Sequence, residues 1–133
     1  SDEDFVNIFG EKEPRAVYKE HVEFYCDNFI TTRGRDGVDL FTRRFEAHYP
    51  SKAIETRSTI GAGDNFNAGI LFGLLREGIG KADLPNRYED LDTMDEATWD
   101  KIIQCGIDLS SEVCQSYDNY VSREFAKRYV SQS

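Results

Sequence analysis

The stretch Thr59-Ile60-Gly61-Ala62-Gly63-Asp64-Asn65-Phe66-Asn67-Ala68-Gly69 concentrates the residues able to do chemistry. Small residues at 61 to 63 let backbone N–H groups converge on one point. They stand where a helix begins, so its orphan amides and the positive end of its dipole face the same way. Such a point binds anions. Asp64 then places a carboxylate beside a site that its own charge opposes. Ser or Thr would cap the helix equally well, so the acid makes more sense as a group that takes a proton from an incoming hydroxyl. The plain alternative is a glycine turn with an aspartate in the first helical turn. A second turn, Thr32-Arg33-Gly34-Arg35-Asp36-Gly37, lies between two strand-like runs. Gly34 and Gly37 allow φ > 0 or a close backbone approach, and the Thr32 hydroxyl can donate to a phosphate oxygen. By itself this turn also fits a simple hairpin.

The longer pattern from Ser58 to Leu71 carries more. Ser58, Thr59, Gly61, Ala62, Gly63, Asp64, Phe66, Ala68, Gly69, Ile70 and Leu71 resemble, nearly position for position, the second signature of the PfkB (ribokinase-like) carbohydrate kinase family. The resemblance implies ATP-dependent phosphorylation of a sugar hydroxyl, of the fructokinase or ribokinase kind. In that reading the amides of Gly61, Ala62 and Gly63 form the anion hole and Asp64 is the base. Thr32, Gly34 and Gly37 contact the nucleotide phosphates. The segment Ser1-Asp2-Glu3-Asp4 takes the place of the family's Asn-x-x-Glu, with Ser1 for the Asn and Asp4 for the Glu in a Mg²⁺–phosphate network. Ser58 stands where the family usually has an acid and, with Ile60, marks a monovalent cation position. Ser58 offers only a neutral oxygen there, which leaves K⁺ dependence open. The implied cofactors are ATP and Mg²⁺, with K⁺ as a further candidate. A non-catalytic nucleotide- or anion-binding module, or a regulatory interaction domain with the same turn, remains the alternative.

The resemblance covers essentially the whole chain and only the C-terminal half of the family. It implies the C-terminal portion of a ribokinase-like three-layer α/β/α fold, with residues 1–133 as the nucleotide-binding and catalytic-base part. The N-terminal, sugar-contacting part would be absent. Such a piece should be inactive alone, and should expose an apolar sheet face or edge unless that missing half covers it. A homodimer is the other partner arrangement implied.

The elements that must position these residues are readable. Asp2–Phe9 has an acidic first turn, an apolar stripe and Gly10 as its stop, which predicts a short helix. Ala16–Cys26 predicts a second helix with imperfect periodicity. Asn28–Thr32 and Val38–Thr42 alternate as a hairpin's strands, and a short strand is expected over Ala53–Thr56. Asn65–Leu75 is apolar nearly all round after Ala68, so a buried helix is expected, ended by Gly78 and Gly80. Lys81–Glu96 reads as a polar surface excursion. Ala97–Ser116 predicts a long helix with Asp95 or Thr93 as its cap, and Ser122–Val130 a final short one. The order α-α-β-β-(β)-α-α-α indicates an α/β layer structure with a small sheet.

Composition bounds the rest. The 133 residues carry a net charge of −9 and 39% hydrophobic residues, which suits one core or part of a larger one. Acidity argues against nucleic acid and against an anionic membrane surface. The longest apolar run, Ala68–Leu75, is far short of a membrane span. His21 and His48 are isolated and form no zinc pattern. The three cysteines, Cys26, Cys105 and Cys114, also lack metal spacing. Cys105 and Cys114 would fall on opposite sides of one helix, so buried, reduced thiols in a cytoplasmic protein are expected.

Overall fold

In the computed structural model the described residues are 1–79 and 94–132. They fall into two compact units, one formed by Ser1–Ser51 and one by the described residues from Lys52 onward.

The first unit opens with α1, Asp2–Phe9. Its three acids lie in the first turn, where the dipole favours them. Gly10 ends it at φ 68°, donating to the Val6 carbonyl at 3.0 Å. Next comes α2, Pro14–Val17, with its proline in the first turn. Instead of the regular helix expected through Cys26, the chain passes into a π-turn over Tyr18–Val22. The wider turn lets two adjacent residues, Val17 and Tyr18, both face the interior. The Tyr18 ring stacks at 5.1 Å on Phe41 and 6.1 Å on Phe29.

Those two phenylalanines lie on the sheet. Strands β1 (Asn28–Thr32), β2 (Val38–Thr42) and β3 (Glu46–Tyr49) pair antiparallel in that order. The third strand is therefore not at Ala53–Thr56, which has no regular structure. The Thr42 hydroxyl and backbone N–H both donate to the Phe45 carbonyl at 2.9 Å. That tight closure brings the next residues straight back along β2. The register opposes Phe29 to Phe41, and Thr31 to Asp39 and then His48. Opposed residues share a face, so an aromatic cluster grades into a polar group towards the Arg33–Gly37 turn. Val38 and Leu40 are buried on the other face.

The second unit is built on α3 (Ala62–Arg76), α4 (Glu96–Cys114) and α5 (Arg123–Ser131). Helix α3 begins three residues earlier than its apolar pattern suggested. Asp95 caps α4 by accepting from Thr98 N–H at 2.8 Å, and Ser122 caps α5 through Phe125 N–H at 3.1 Å. Helices α3 and α4 approach closely because glycines line the crossing. A Cβ on Gly69 would overlap the Cys105 carbonyl, one on Gly73 would lie 2.9 Å from the Ile102 Cα, and one on Gly106 2.7 Å from the Phe66 ring.

Helix α3 is thus covered on one side rather than all round. Phe66, Gly69 and Gly73 are buried, whereas Leu71 and Leu75 are 62% and 59% exposed. Other exposed large apolar residues, Ile8 on α1 and Phe24 and Tyr25 after the π-turn, also belong to helices and turns rather than to the sheet. All three cysteines are free thiols, with Cys105 and Cys114 buried as expected and Cys26 exposed. No helix among the described residues is long and apolar enough to cross a membrane. The excursion read at Lys81–Glu96, and Gly80, lie largely outside the described residues.

Candidate active site

The glycine turn at the head of α3 has the geometry of an open helix N-terminus. Gly61 is the N-cap, at φ 83° and ψ 0°, and no side chain caps the helix. The left-handed backbone there, with a Cβ that would stand 2.9 Å from Asn119, restricts the position to glycine. The Ala62 N–H closes a turn on the Thr59 carbonyl at 3.2 Å. The N–H groups of Gly61, Gly63 and Asp64 have no partner among the described residues. Two of the three amides singled out from sequence are therefore open, and Asp64 contributes a third. Gly63 and Asp64 are exposed, and the Asp64 carboxylate enters no hydrogen bond or ion pair among the described residues.

Asn65 holds this turn in place, a role the sequence pattern alone did not suggest. Its Nδ2 donates to the Gly61 carbonyl at 2.8 Å and to the Asn119 carbonyl at 2.9 Å. The segment after α4 thereby braces the start of α3. The signal open to sequence reading was an Asn placed between Asp64 and the buried Phe66. On the approach to the turn, Arg57 and Ser58 N–H both point to the Cys114 carbonyl, at 2.8 and 3.3 Å. The Ser58 hydroxyl accepts from Ile60 N–H at 3.2 Å, and the Ile60 side chain is exposed.

Thr32, Gly34 and Gly37 lie in the first unit. Thr32 ends β1 opposite Val38. Gly34 and Gly37 both take positive φ, 54° and 93°. Gly37 is also sterically compelled, because a Cβ there would overlap the Tyr49 carbonyl. Its close approach is to β3. The turn is closed by Arg33 N–H donating to the Gly37 carbonyl at 2.8 Å, and Ser51 ties β3's exit to it through the Arg35 carbonyl at 2.7 Å. Ser1 and Asp4 meet at the head of α1, where the Ser1 nitrogen and hydroxyl each donate to Asp4 Oδ2 at 2.9 Å.

A separate polar cluster braces the second unit. Asp108 accepts from Lys52 Nζ at 2.5 Å, Tyr129 Oη at 2.6 Å and Gln104 Nε2 at 2.8 Å. Burial pushes the Asp108 carboxyl up, and these donors with the Lys52 charge outweigh it, leaving it below its ordinary value. Burial and the Asp108 contact push the Tyr129 phenol up. The cluster borders a cleft of about 470 Å³ lined also by Arg76, Lys101 and Gln132.

This arrangement matches known proteins. Ribokinase-like folds superpose on nearly the whole chain. The aminoimidazole riboside kinase of Salmonella enterica, solved with aminoimidazole riboside and an ATP analogue, aligns with a TM-score of 0.69 at 22% identity over 89% of this chain and 35% of that one. The fructokinase of Vibrio cholerae, solved with fructose, ADP and a calcium ion, gives 0.69 at 19% over 89% and 34%. By sequence, the aminoimidazole riboside kinase of Salmonella typhimurium is 43% identical over 51 residues, 38% of this chain and 16% of that protein. A Klebsiella pneumoniae fructokinase is 31% identical over 80 residues, 59% of this chain and 26% of that one. Residues 1–124 match the description of the pfkB family carbohydrate kinases, and the chain belongs to that family. Its sheet and helices correspond to part of the ribokinase-like α/β fold. The chain spans about a third of the length of the solved kinases it resembles.

Proposed function

We propose that this chain carries the nucleotide-binding and phosphoryl-transfer part of an ATP-dependent sugar kinase. The observation that carries the reading is the uncapped start of α3. There the N–H groups of Gly61, Gly63 and Asp64 are open, and a carboxylate stands free on the same turn.

Phosphoryl transfer needs positioning and charge neutralisation more than covalent chemistry. In the proposed reaction the turn Gly61, Ala62, Gly63 steadies the negative charge on the transferring γ-phosphoryl group through its open amides. Asp64 orients the acceptor hydroxyl and takes its proton. The acceptor oxygen forms its bond to the γ-phosphorus as the bond to the β-phosphate oxygen breaks, and ADP leaves. Amides rather than lysines supply the anion site, which is how an acidic chain can hold a triphosphate. Thr32, Gly34 and Gly37 are the residues proposed to contact nucleotide phosphate.

Mg²⁺, when bound, neutralises phosphate charge. Ser1 and Asp4 offer one hydroxyl and one carboxylate, an oxygen pair that suits a Mg²⁺ keeping most of its waters. For K⁺, the Ser58–Ile60 segment supplies neutral oxygens only. The acceptor is proposed to be a sugar or riboside hydroxyl, the class named for the related fructokinases and aminoimidazole riboside kinases. Free thiols at all three cysteines support a reducing compartment, the cytoplasm. The sugar-contacting residues are proposed to lie in the part of the relatives that this chain does not span.

Calorimetric titration with Mg-ATP tests the reading. The 133-residue chain and its Asp64→Asn variant should both bind, with no sugar-dependent ADP release from the 133 residues alone. In a full-length protein that turns over fructose, Asp64→Asn should keep ATP binding and lose roughly 10²- to 10⁴-fold in turnover. Absence of Mg-ATP binding, or unchanged turnover in the variant, overturns it.

A further inference from the structure

The turn before α3 offers a monovalent cation poor terms. Position 58, the acid of such a site in the family pattern, is here Ser58. Its hydroxyl already accepts from Ile60 N–H at 3.2 Å. The carbonyls around it are also taken. That of Cys114 accepts from Arg57 N–H at 2.8 Å and Ser58 N–H at 3.3 Å. That of Gly61 accepts from Asn65 N–H at 2.9 Å and Asn65 Nδ2 at 2.8 Å. Two donors use both lone pairs of a carbonyl. The Thr59 carbonyl is turned to Ala62 N–H and that of Asn119 to Asn65 Nδ2. These oxygens hold the turn itself. The local charge is reversed as well. Arg57 is exposed, and its guanidinium has no partner among the described residues. Arg57 and Ser58 together carry +1, and a like charge beside the position repels a further cation. The acids Asp64 and Asp118 on the neighbouring segments are exposed, where water and salt leave an ion pair little value.

We propose that nucleotide binding and phosphoryl transfer at this turn are independent of K⁺, with Ser58 the residue that decides it and Arg57 reinforcing it. The inference rests on the sugar-kinase reading of the turn. A K⁺ ion held by neutral oxygens needs several carbonyls free to converge on it in place of its water. Here the Cys114 and Gly61 carbonyls have no lone pair to spare, and releasing them would undo the bonds that hold Gly61 in its left-handed conformation. A carboxylate at position 58 would repay that cost through its charge, and Ser58 cannot. The negative charge of the γ-phosphoryl group is then met at this turn by the open amides of Gly61, Gly63 and Asp64, whose dipoles are fixed by the fold and do not depend on which salt is present.

The test is Mg-ATP binding by calorimetry in the full chain at constant ionic strength, with potassium, sodium or tetramethylammonium as the only monovalent cation. An effector ion shifts affinity by about fivefold or more. Wild-type affinity should instead stay within about threefold across the three salts. The converse variant combines Ser58→Asp with Arg57→Gln. One carboxylate oxygen can keep the Ile60 N–H bond while the other faces an ion. Its affinity for Mg-ATP should become about fivefold or more higher in potassium than in tetramethylammonium. Potassium should also raise its melting temperature and leave that of the wild type unchanged. A wild-type affinity that falls by more than about threefold without potassium overturns the proposal and leaves the kinase reading standing. A double variant that melts as a folded protein and binds Mg-ATP equally in all three salts overturns the assignment to Ser58 and Arg57. Should that variant not fold, the wild-type salt series decides alone. A wild-type chain that binds Mg-ATP in none of the salts overturns both readings.

Discussion

The α3–α4 crossing allows one substitution to be worked through in detail, Gly69→Ala. In an ordinary exposed helix this change stabilises by about 1 kcal/mol, because alanine loses less backbone entropy. Here the new Cβ would overlap the Cys105 carbonyl oxygen and stand 2.6 Å from both the Cys105 carbonyl carbon and the Gly106 Cα. All three are backbone atoms of α4, so no rotamer change relieves the clash. Restoring ordinary contact near 3.4 Å requires α4 to move away by about an ångström. That shift loosens Phe66 and Ile102, both buried at the same crossing. Overpacking of this kind costs about 1–3 kcal/mol, and rigid backbone on the far side puts it at the upper end. Subtracting the propensity gain leaves a net loss of about 2 kcal/mol. The control is Gly63→Ala in the same helix, where an added Cβ meets nothing within 4 Å. Urea unfolding of the two variants should give opposite signs, with Gly63→Ala neutral or stabilised by up to about 1 kcal/mol. A Gly69→Ala protein as stable as wild type would refute the glycine-mediated crossing.

Other consequences follow from single contacts. Asn65→Ala removes both bonds that brace the Gly61 turn and should cost about 1–2 kcal/mol in urea unfolding, with weaker Mg-ATP binding by calorimetry. Gly37→Ala must displace the Tyr49 carbonyl from a φ of 93°, so it should destabilise by about 2 kcal/mol or more; an unchanged melting temperature would contradict the turn geometry. Asp108 has a lowered folded pKa, so its stabilisation is complete above the ordinary value of 3.8 and is lost as pH falls below it. Tyr129 has a raised one, so its contribution is complete below pH 10 and fades above. Asp108→Asn should therefore flatten the acid limb of a stability–pH curve, and Tyr129→Phe the alkaline limb, both read by thermal melts.

Local chemistry made much of this protein legible. The cap at Asp95, one of the two expected, the stop at Gly10, the β1–β2 hairpin and the start of α1 each depend on neighbours a few residues away, and each stands where the sequence pattern put it. The glycine turn before Asp64 was readable for the same reason, since a left-handed Gly61 and an uncapped helix start are properties of one short segment. The second helix misled because its periodicity changes at Tyr18, where a π-turn buries two consecutive side chains against rings on β1 and β2. The third strand was misplaced because a Thr42–Phe45 closure, four residues long, decides where β3 begins.

What only tertiary structure decided is what each of these pieces touches. The sequence by itself determined an acidic chain with a glycine turn at a helix start, an adjacent carboxylate and the helices and hairpin around them. It could not tell that Gly69, Gly73 and Gly106 are spaces filled by another helix, nor that Asn65 reaches Asn119, fifty-four positions away. Nor could it bring Asp39 and His48 together, because strand register alone makes them neighbours. These contacts depend on distances between elements, and pattern along a chain carries information only about distances within them.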